Sequence, residues 1–195
     1  MSLPLSGSQT VGPYFSIGLS PLCSEEVASG SQGEAIMVEG HLLDGEGVPV
    51  PDGFLEIWQA DGSGQYISGK PASSVGEAVG FGRIKTGPDG GFRFKTIKPG
   101  AYPWGNHYNA WRPQHIHFSL FGAGILSRLV TQMYFPGDPL HALDPIFNSI
   151  TDPRARERLI ARFDIEKTEP AFALAYEFNI VLRGTNDTPF EEGKR

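Results

Sequence analysis

The chain has 195 residues, of which 25 are glycine and 16 proline, together about a fifth, and 39% are apolar. That composition suits one turn-rich all-β domain with a real core, and it excludes collagen, coiled coil and disorder. Sixteen basic against 22 acidic residues leave a net charge of −6, which argues against a nucleic-acid backbone or an anionic membrane as partner and for a small molecule.

No stretch approaches the roughly eighteen unbroken apolar residues of a membrane helix. The N-terminal MSLPLSGSQT lacks both the basic start and the apolar core of a signal peptide, so a soluble, cytoplasmic protein is expected. Cys23, the single cysteine, cannot form an internal disulfide and lacks CxxC spacing, which leaves it a bystander.

A Gly/Ser-rich loop region is expected from about Ser24 to Glu34 and another from Ser68 to Gly80, with no internal repeat. Between them, Ile36 to Leu43 (IMVEGHLL) reads as a strand ending in the turn Asp44-Gly45-Glu46-Gly47. Phe54 to Gln59 (FLEIWQ) reads as a buried strand bounded by Pro51-Asp52-Gly53 and Asp61-Gly62. Phe81 to Thr86 and the alternating Gly91 to Ile97 (GFRFKTI), separated by Gly87-Pro88-Asp89-Gly90, predict a hairpin, and Lys98-Pro99-Gly100 closes it. His115 to Phe121 (HIHFSLF) and Leu126 to Phe135 predict a second pair joined at Gly122-Ala123-Gly124. One helix is expected, over Arg154 to Phe163. Thr151 or Asp152 can cap it, Pro153 fits its first turn, and Ala155, Leu159, Ile160 and Phe163 give it an apolar face. Ala175 to Arg183 (AYEFNIVLR) is the last strand, ahead of a polar tail.

Short strands separated by Gly/Pro turns predict a β-sandwich of mixed or antiparallel sheets, with long loops and one short helix, because strands of this length must bury one face against a second sheet. The expected organisation is a single domain over residues 1–195. It has an arm over 1–35, core strands and site over 36–135, and a loop, the helix, the last strand and the tail over 136–195.

The informative segment runs from Ala101 to Gln132. Residues two apart on a strand project from one face roughly 7 Å apart, so His115 and His117 can converge on one metal ion while Ile116 faces the core. A lone HxH also occurs as ordinary strand residues. A cupin-type site would want an acid where Leu120 and Phe121 stand, and a carboxylate facial triad has no obvious nearby acid. Zinc with a third histidine would need His41, His107 or His141, all in turns or loops, and no spacing favours one of them. Tyr102, thirteen residues before His115, and Tyr66 are the more interesting partners. A phenol ionises near pH 10, but a hard trivalent cation lowers that enough to bind phenolate at neutral pH. Taken singly, either tyrosine also reads as packing in a turn.

The segments SQTVGPYFSIGL (Ser8 to Leu19), FLEIWQADGSGQY (Phe54 to Tyr66), TIKPGAYPW (Thr96 to Trp104), WRPQHIHF (Trp111 to Phe118) and LVTQMYFPGDP (Leu129 to Pro139) together resemble the intradiol ring-cleaving dioxygenases. The resemblance covers most of the chain, with several independent motifs in the same order. It implies a non-haem Fe(III) cofactor held by Tyr66, Tyr102, His115 and His117, and an activity that opens protocatechuate or a related catechol with O2 to a cis,cis-muconate. It further implies that the Tyr102 phenolate takes a substrate proton, that Arg112 stabilises negative charge on the substrate ring, and that Gln132 orients Arg112. Trp104 and the stretch Gly12, Pro13 and Tyr14 would be substrate-binding walls. Outside the resemblance, Arg112 also reads as an ordinary ion pair and Trp104 as core packing.

Some of these enzymes pair an α chain without metal ligands with a β chain that carries the iron. The short N-terminus and TVGPY here resemble an α chain, whereas the segment from Thr96 onward resembles a β chain. The expected partner is therefore either another copy of this chain or a homologous dioxygenase chain. Two other classes of function stand beside the enzyme: a non-catalytic α-type subunit, and a β-sandwich binding module of transthyretin-like kind.

Overall fold

The computed structural model describes residues 7, 9–28, 33–66, 80–105, 109–122 and 124–191. Eleven strands carry the architecture among these residues. β1 (Ala35–Leu43), β4 (Gly91–Ile97), β9 (Arg162–Glu169), β10 (Ala173–Glu177) and β11 (Ile180–Val181) form one sheet in which β1 is central: it pairs antiparallel with β4 and parallel with β10 and β11. β2 (Phe54–Gln59), β3 (Phe81–Lys85), β7 (His115–Phe121) and β8 (Leu129–Tyr134) form the second sheet, in the order β3-β2-β7-β8 and antiparallel throughout. A short ladder joins β5 (Tyr102–Pro103) to β6 (Trp111–Arg112).

The two sheets pack face to face as a sandwich, and the alternation of apolar residues explains why. Ile36 and Val38 of β1 and Phe92 and Phe94 of β4 meet Leu55 and Ile57 of β2 and Ile116, Phe118 and Leu120 of β7 in one core. Phe118 spans the interface, its ring 6.0 Å from Phe94, 6.1 Å from Phe92 and 5.4 Å from Phe178. Burying a side chain of that size stabilises the fold by roughly 1.5–3 kcal/mol.

Three expectations are corrected. Gly87 to Gly90 does form a tight turn, with Gly90 N–H donating to Gly87 O at 2.9 Å and Gly87 N–H to Gly91 O at 2.8 Å. Yet the flanking strands are not a hairpin: β3 pairs with β2 and β4 with β1, so the turn carries the chain from one sheet to the other. The single helix expected over Arg154 to Phe163 is a five-residue α3 (Pro153–Glu157), capped by Asp152 as expected, and the chain then runs into β9. Two further short α-helices lie among the described residues, α1 (Pro13–Leu19) and α2 (Pro145–Ser149), each beside a short 3-10 helix, Ser20–Leu22 and Pro139–Leu143. The expected strand from Ala175 to Arg183 is interrupted at Phe178 and Asn179, which separate β10 from β11. Most of the loop from Ser68 to Gly80 lies outside the described residues. No helix among the described residues is long and apolar enough to cross a membrane.

Candidate metal centre

Two interlocked turns place the tyrosines. After β2, the Asp61 carboxylate accepts hydrogen bonds from the backbone N–H groups of Ser63 and Gln65, each at 2.9 Å, and from the Ser63 hydroxyl at 2.7 Å, which folds Asp61 to Gln65 back on itself. Gly100 N–H donates to Asp61 O at 2.8 Å, docking the Pro99-Gly100 turn against the first one. Glycine is needed on both sides. Gly64 sits at φ +83°, where a Cβ would lie 2.4 Å from Ala101 O, and a Cβ on Gly100 would lie 2.5 Å from Gly64 N. The close approach sets Tyr66 beside Tyr102, with hydroxyl oxygens 3.3 Å apart.

β7 supplies the imidazoles. Its alternation sends Ile116 and Phe118 into the core and brings His115 and His117 together on the opposite side, with their Nε2 atoms 3.1 Å apart. His117 Nε2 also lies 3.2 Å from Tyr66 Oη. Two phenol oxygens and two ring nitrogens thus form a chain of contacts of 3.1–3.3 Å, the spacing of neighbouring donors around one ion at roughly 2 Å. Pro113 O lies 2.6 Å from His115 Nδ1, and since a carbonyl only accepts, Nδ1 carries the proton and Nε2 presents its lone pair to the cluster.

The electrostatics of Tyr66, His115 and His117 agree with that geometry. Burial, then the nearby Arg112 charge, lowers both imidazoles: His117 to about 4 and His115 well below its ordinary value, so neither needs to lose a proton to bind a cation at neutral pH. Burial foremost, and then the hydrogen bond with Tyr102, raises the Tyr66 phenol, against a smaller pull from Arg112. Ionising it takes a strong positive charge in contact, of the kind a bound metal ion would supply. No group of three or more His, Cys, Asp or Glu side chains that could hold a metal exists among the described residues, so the three-histidine zinc alternative finds no support there; His107 lies outside them.

Around the tetrad is a cleft of about 360 Å³ lined by Trp58, Tyr66, Tyr102, Trp104, Arg112, His117 and Ile146, among others. A larger groove of about 600 Å³ on the β1–β4 side contains none of the tetrad and is edged by charges already engaged, such as Lys167 with Glu39 and Arg83 with Glu56. Arg112, only 3% exposed, donates from Nη2 to Gln132 Oε1 and lies with its guanidinium carbon 5.5 Å from the centre of the Trp104 ring. Tyr102, Trp104, Arg112, Gln132, His115, His117 and Tyr66 are thus brought together. Gly12, Pro13 and Tyr14 are not: they lie at the start of α1, whose Phe15 packs on Phe54 and Phe121 at the other end of β2 and β7. Phe121 is four residues beyond His117, roughly 13 Å by the strand rise.

Three side chains near the cleft escape the sequence reading. Trp58, half exposed, packs its ring 4.6 Å from Tyr66 and 5.6 Å from His117; its position in FLEIWQ, opposite the core residues Leu55 and Ile57, was the available signal. Tyr134 and Asp144, both 0% exposed, sit behind Arg112. Tyr134 follows Gln132 on the same strand face, and Asp144 before Pro145 is a helix-cap signal, but neither pattern points to a guanidinium.

A β-sandwich whose cleft joins two phenols, two imidazoles and a buried arginine is the arrangement that the resemblance to ring-cleaving dioxygenases requires. The family model described as dioxygenase matches residues 11–184. The chain is 51% identical over 192 residues to the protocatechuate 3,4-dioxygenase beta chain of Burkholderia cepacia, covering 96% of this chain and 80% of that one. It is 36% identical over 202 residues to the protocatechuate 3,4-dioxygenase alpha chain of Pseudomonas putida, covering 96% of each. Among solved structures, the dioxygenase domain of a carbohydrate-binding fusion protein from Streptomyces sp. SirexAA-E matches with a TM-score of 0.62 at 29% identity, over 91% of this chain and 97% of that one. The chain belongs to this dioxygenase family and is an intradiol aromatic-ring-cleaving enzyme.

Proposed function

We propose that the chain is the iron-bearing, catalytic subunit of an intradiol dioxygenase that opens protocatechuate or a related catechol between its two hydroxylated carbons, consuming O2 and releasing a (3-carboxy-)cis,cis-muconate. The observation that carries the reading is the tetrad of Tyr66, Tyr102, His115 and His117, whose donor atoms lie within 3.1–3.3 Å of their neighbours at one end of the cleft. Ferric iron held by these four side chains supplies the Lewis acidity that lets a catechol give up its phenolic protons, and the redox chemistry with dioxygen.

The chain's own residues do the rest. Tyr102, as phenolate, takes a proton from the entering diol. Arg112 supplies a positive charge, and its burial in a cleft wall strengthens its pull on negative charge that builds on the substrate ring. Gln132 fixes the direction of Arg112 through the hydrogen bond from Nη2. Trp58, Trp104 and Ile146 provide an apolar wall for the ring and keep water from it. Gly12, Pro13 and Tyr14 serve as a wall for a neighbouring subunit's cleft, because Tyr14 is 84% exposed and lies away from its own. That neighbour is a second copy or a homologous dioxygenase chain, and the relatives named alpha and beta chains support such an assembly.

The visible spectrum of the purified protein, with iron content on the same sample, tests the reading. The expected result is a red-brown phenolate-to-iron band that shifts when protocatechuate is added without oxygen. A protein that stays colourless after iron loading overturns it and transfers the weight to a non-catalytic subunit.

A further inference from the structure

Arg112 is held from both sides. On one side lies the Gln132 amide. On the other, Asp144 Oδ2 lies 3.7 Å from Nε, an ion pair between side chains 4% and 0% exposed. At that distance the contact is a charge interaction and not a hydrogen bond, and Nε has no hydrogen-bond partner among the described residues. A bridge closes the circuit: the Tyr134 hydroxyl lies 3.0 Å from both Asp144 Oδ2 and Gln132 Oε1. Arg112, Gln132, Tyr134 and Asp144 thus form a closed ring of buried polar groups drawn from β6, β8 and the start of α2. Asp144 Oδ1 also accepts from Ile146 N–H at 2.8 Å, capping α2, and Ile146 lines the cleft.

We propose that Asp144 is a positioning residue for the ring-opening reaction, acting through Arg112. Its charge offsets the cost of burying the guanidinium and holds the Nε edge toward the back of the cleft, so that the remaining N–H groups face the substrate while the same carboxylate fixes the wall residue Ile146. The inference rests on the proposed ring-cleaving activity. A buried guanidinium with no compensating charge is costly, and the surroundings relieve that cost by letting it turn toward any water or anion within reach. Asp144 removes the incentive, and the Tyr134 bridge couples its position to the Gln132 amide.

Asp144→Asn removes the charge and keeps the cap on α2, its one remaining oxygen still accepting from Ile146 N–H, while its amide nitrogen replaces Oδ2 and donates to the Tyr134 hydroxyl instead of accepting from it. Measured on iron-loaded enzyme with protocatechuate, kcat per bound iron should fall by about 10- to 100-fold, the range typical of partners that orient an active group. KM, iron content and the visible band should change by less than about twofold. The second measurement is a cycle with Arg112→Met. If Asp144 works through Arg112, adding Asp144→Asn to Arg112→Met lowers kcat no further. A kcat for Asp144→Asn within twofold of the parent, or an effect that adds in full to that of Arg112→Met, overturns the assignment and leaves the activity reading intact. A wild-type chain that loads iron but opens no catechol overturns both.

Discussion

β7 turns Ile116, Phe118 and Leu120 into the space between the sheets, each at 0% exposure, and turns His115 and His117 toward the cleft. One face is saturated with apolar contacts. The other brings two ring nitrogens to 3.1 Å beside a buried arginine, an arrangement unfavourable to a metal-free protein. Because the strand period is two, stability and chemistry occupy adjacent residues without sharing a side chain. The chemical face is tolerated because the packed face is strong enough to hold it.

Neighbouring substitutions should therefore separate the two properties. His117→Ala should abolish the iron band and reduce turnover below detection, while metal-free stability in a urea titration changes by no more than about 1 kcal/mol, since little packing is lost and an unfavourable contact is relieved. Phe118→Ala removes the ring that joins Phe92, Phe94 and Phe178 across the sheets, and should cost about 3–5 kcal/mol in the same titration. If the two effects changed places, the division of labour along β7 would be wrong.

A smaller effect is expected one strand over. Thr131 of β8 lies opposite Phe118 in register, is 1% exposed, and donates from its hydroxyl to Pro189 O at 2.7 Å. Thr131→Val leaves that carbonyl without its partner and should cost about 1–3 kcal/mol. The loss should show as faster hydrogen exchange of the Glu191 amide, which donates to Val130 O at 2.7 Å. Protection of Glu191 equal to the parent's would show that the C-terminal segment is held by something other than this bond.

Much of the strand framework was legible because alternation is a local signal. FLEIWQ is β2 with the bounds read from the sequence, and IMVEGHLL, GFRFKTI and HIHFSLF fall within a residue of β1, β4 and β7. Partner choice is not local. The Gly87 to Gly90 turn forms as its residues demand, but β3 and β4 bury their apolar faces only by joining different sheets, which no turn motif encodes. The expected helix stops at Glu157 because Leu159 O and Ala161 N bond to Tyr134, drawing the chain alongside β8. At the site, spacing within one strand was enough to pair His115 with His117. The approach of Tyr66 to Tyr102, 36 residues away in sequence, depends on two glycine turns that meet only in the fold. Asp144 was invisible for the same reason: its partners Arg112 and Tyr134 come from β6 and β8.

The smallest effect asks where the chemical face of β7 ends. Ser119 follows His117 on the same side and, with Glu56, Trp58, Phe81 and Arg128, edges a second depression of about 440 Å³ that also touches His117. A small, partly exposed hydroxyl should change stability by no more than about 0.5 kcal/mol when replaced by alanine. On the proposed function, which places the ring and its two hydroxyls between Trp58, Trp104 and the tetrad, Ser119→Ala should also leave kcat and KM for protocatechuate within about twofold. A KM that moves severalfold while kcat and iron content hold would show that the ring substituent reaches past His117 into this depression. Arg128 would then be the group placed to meet a carboxylate, and the chemical face of the strand would extend to Ser119.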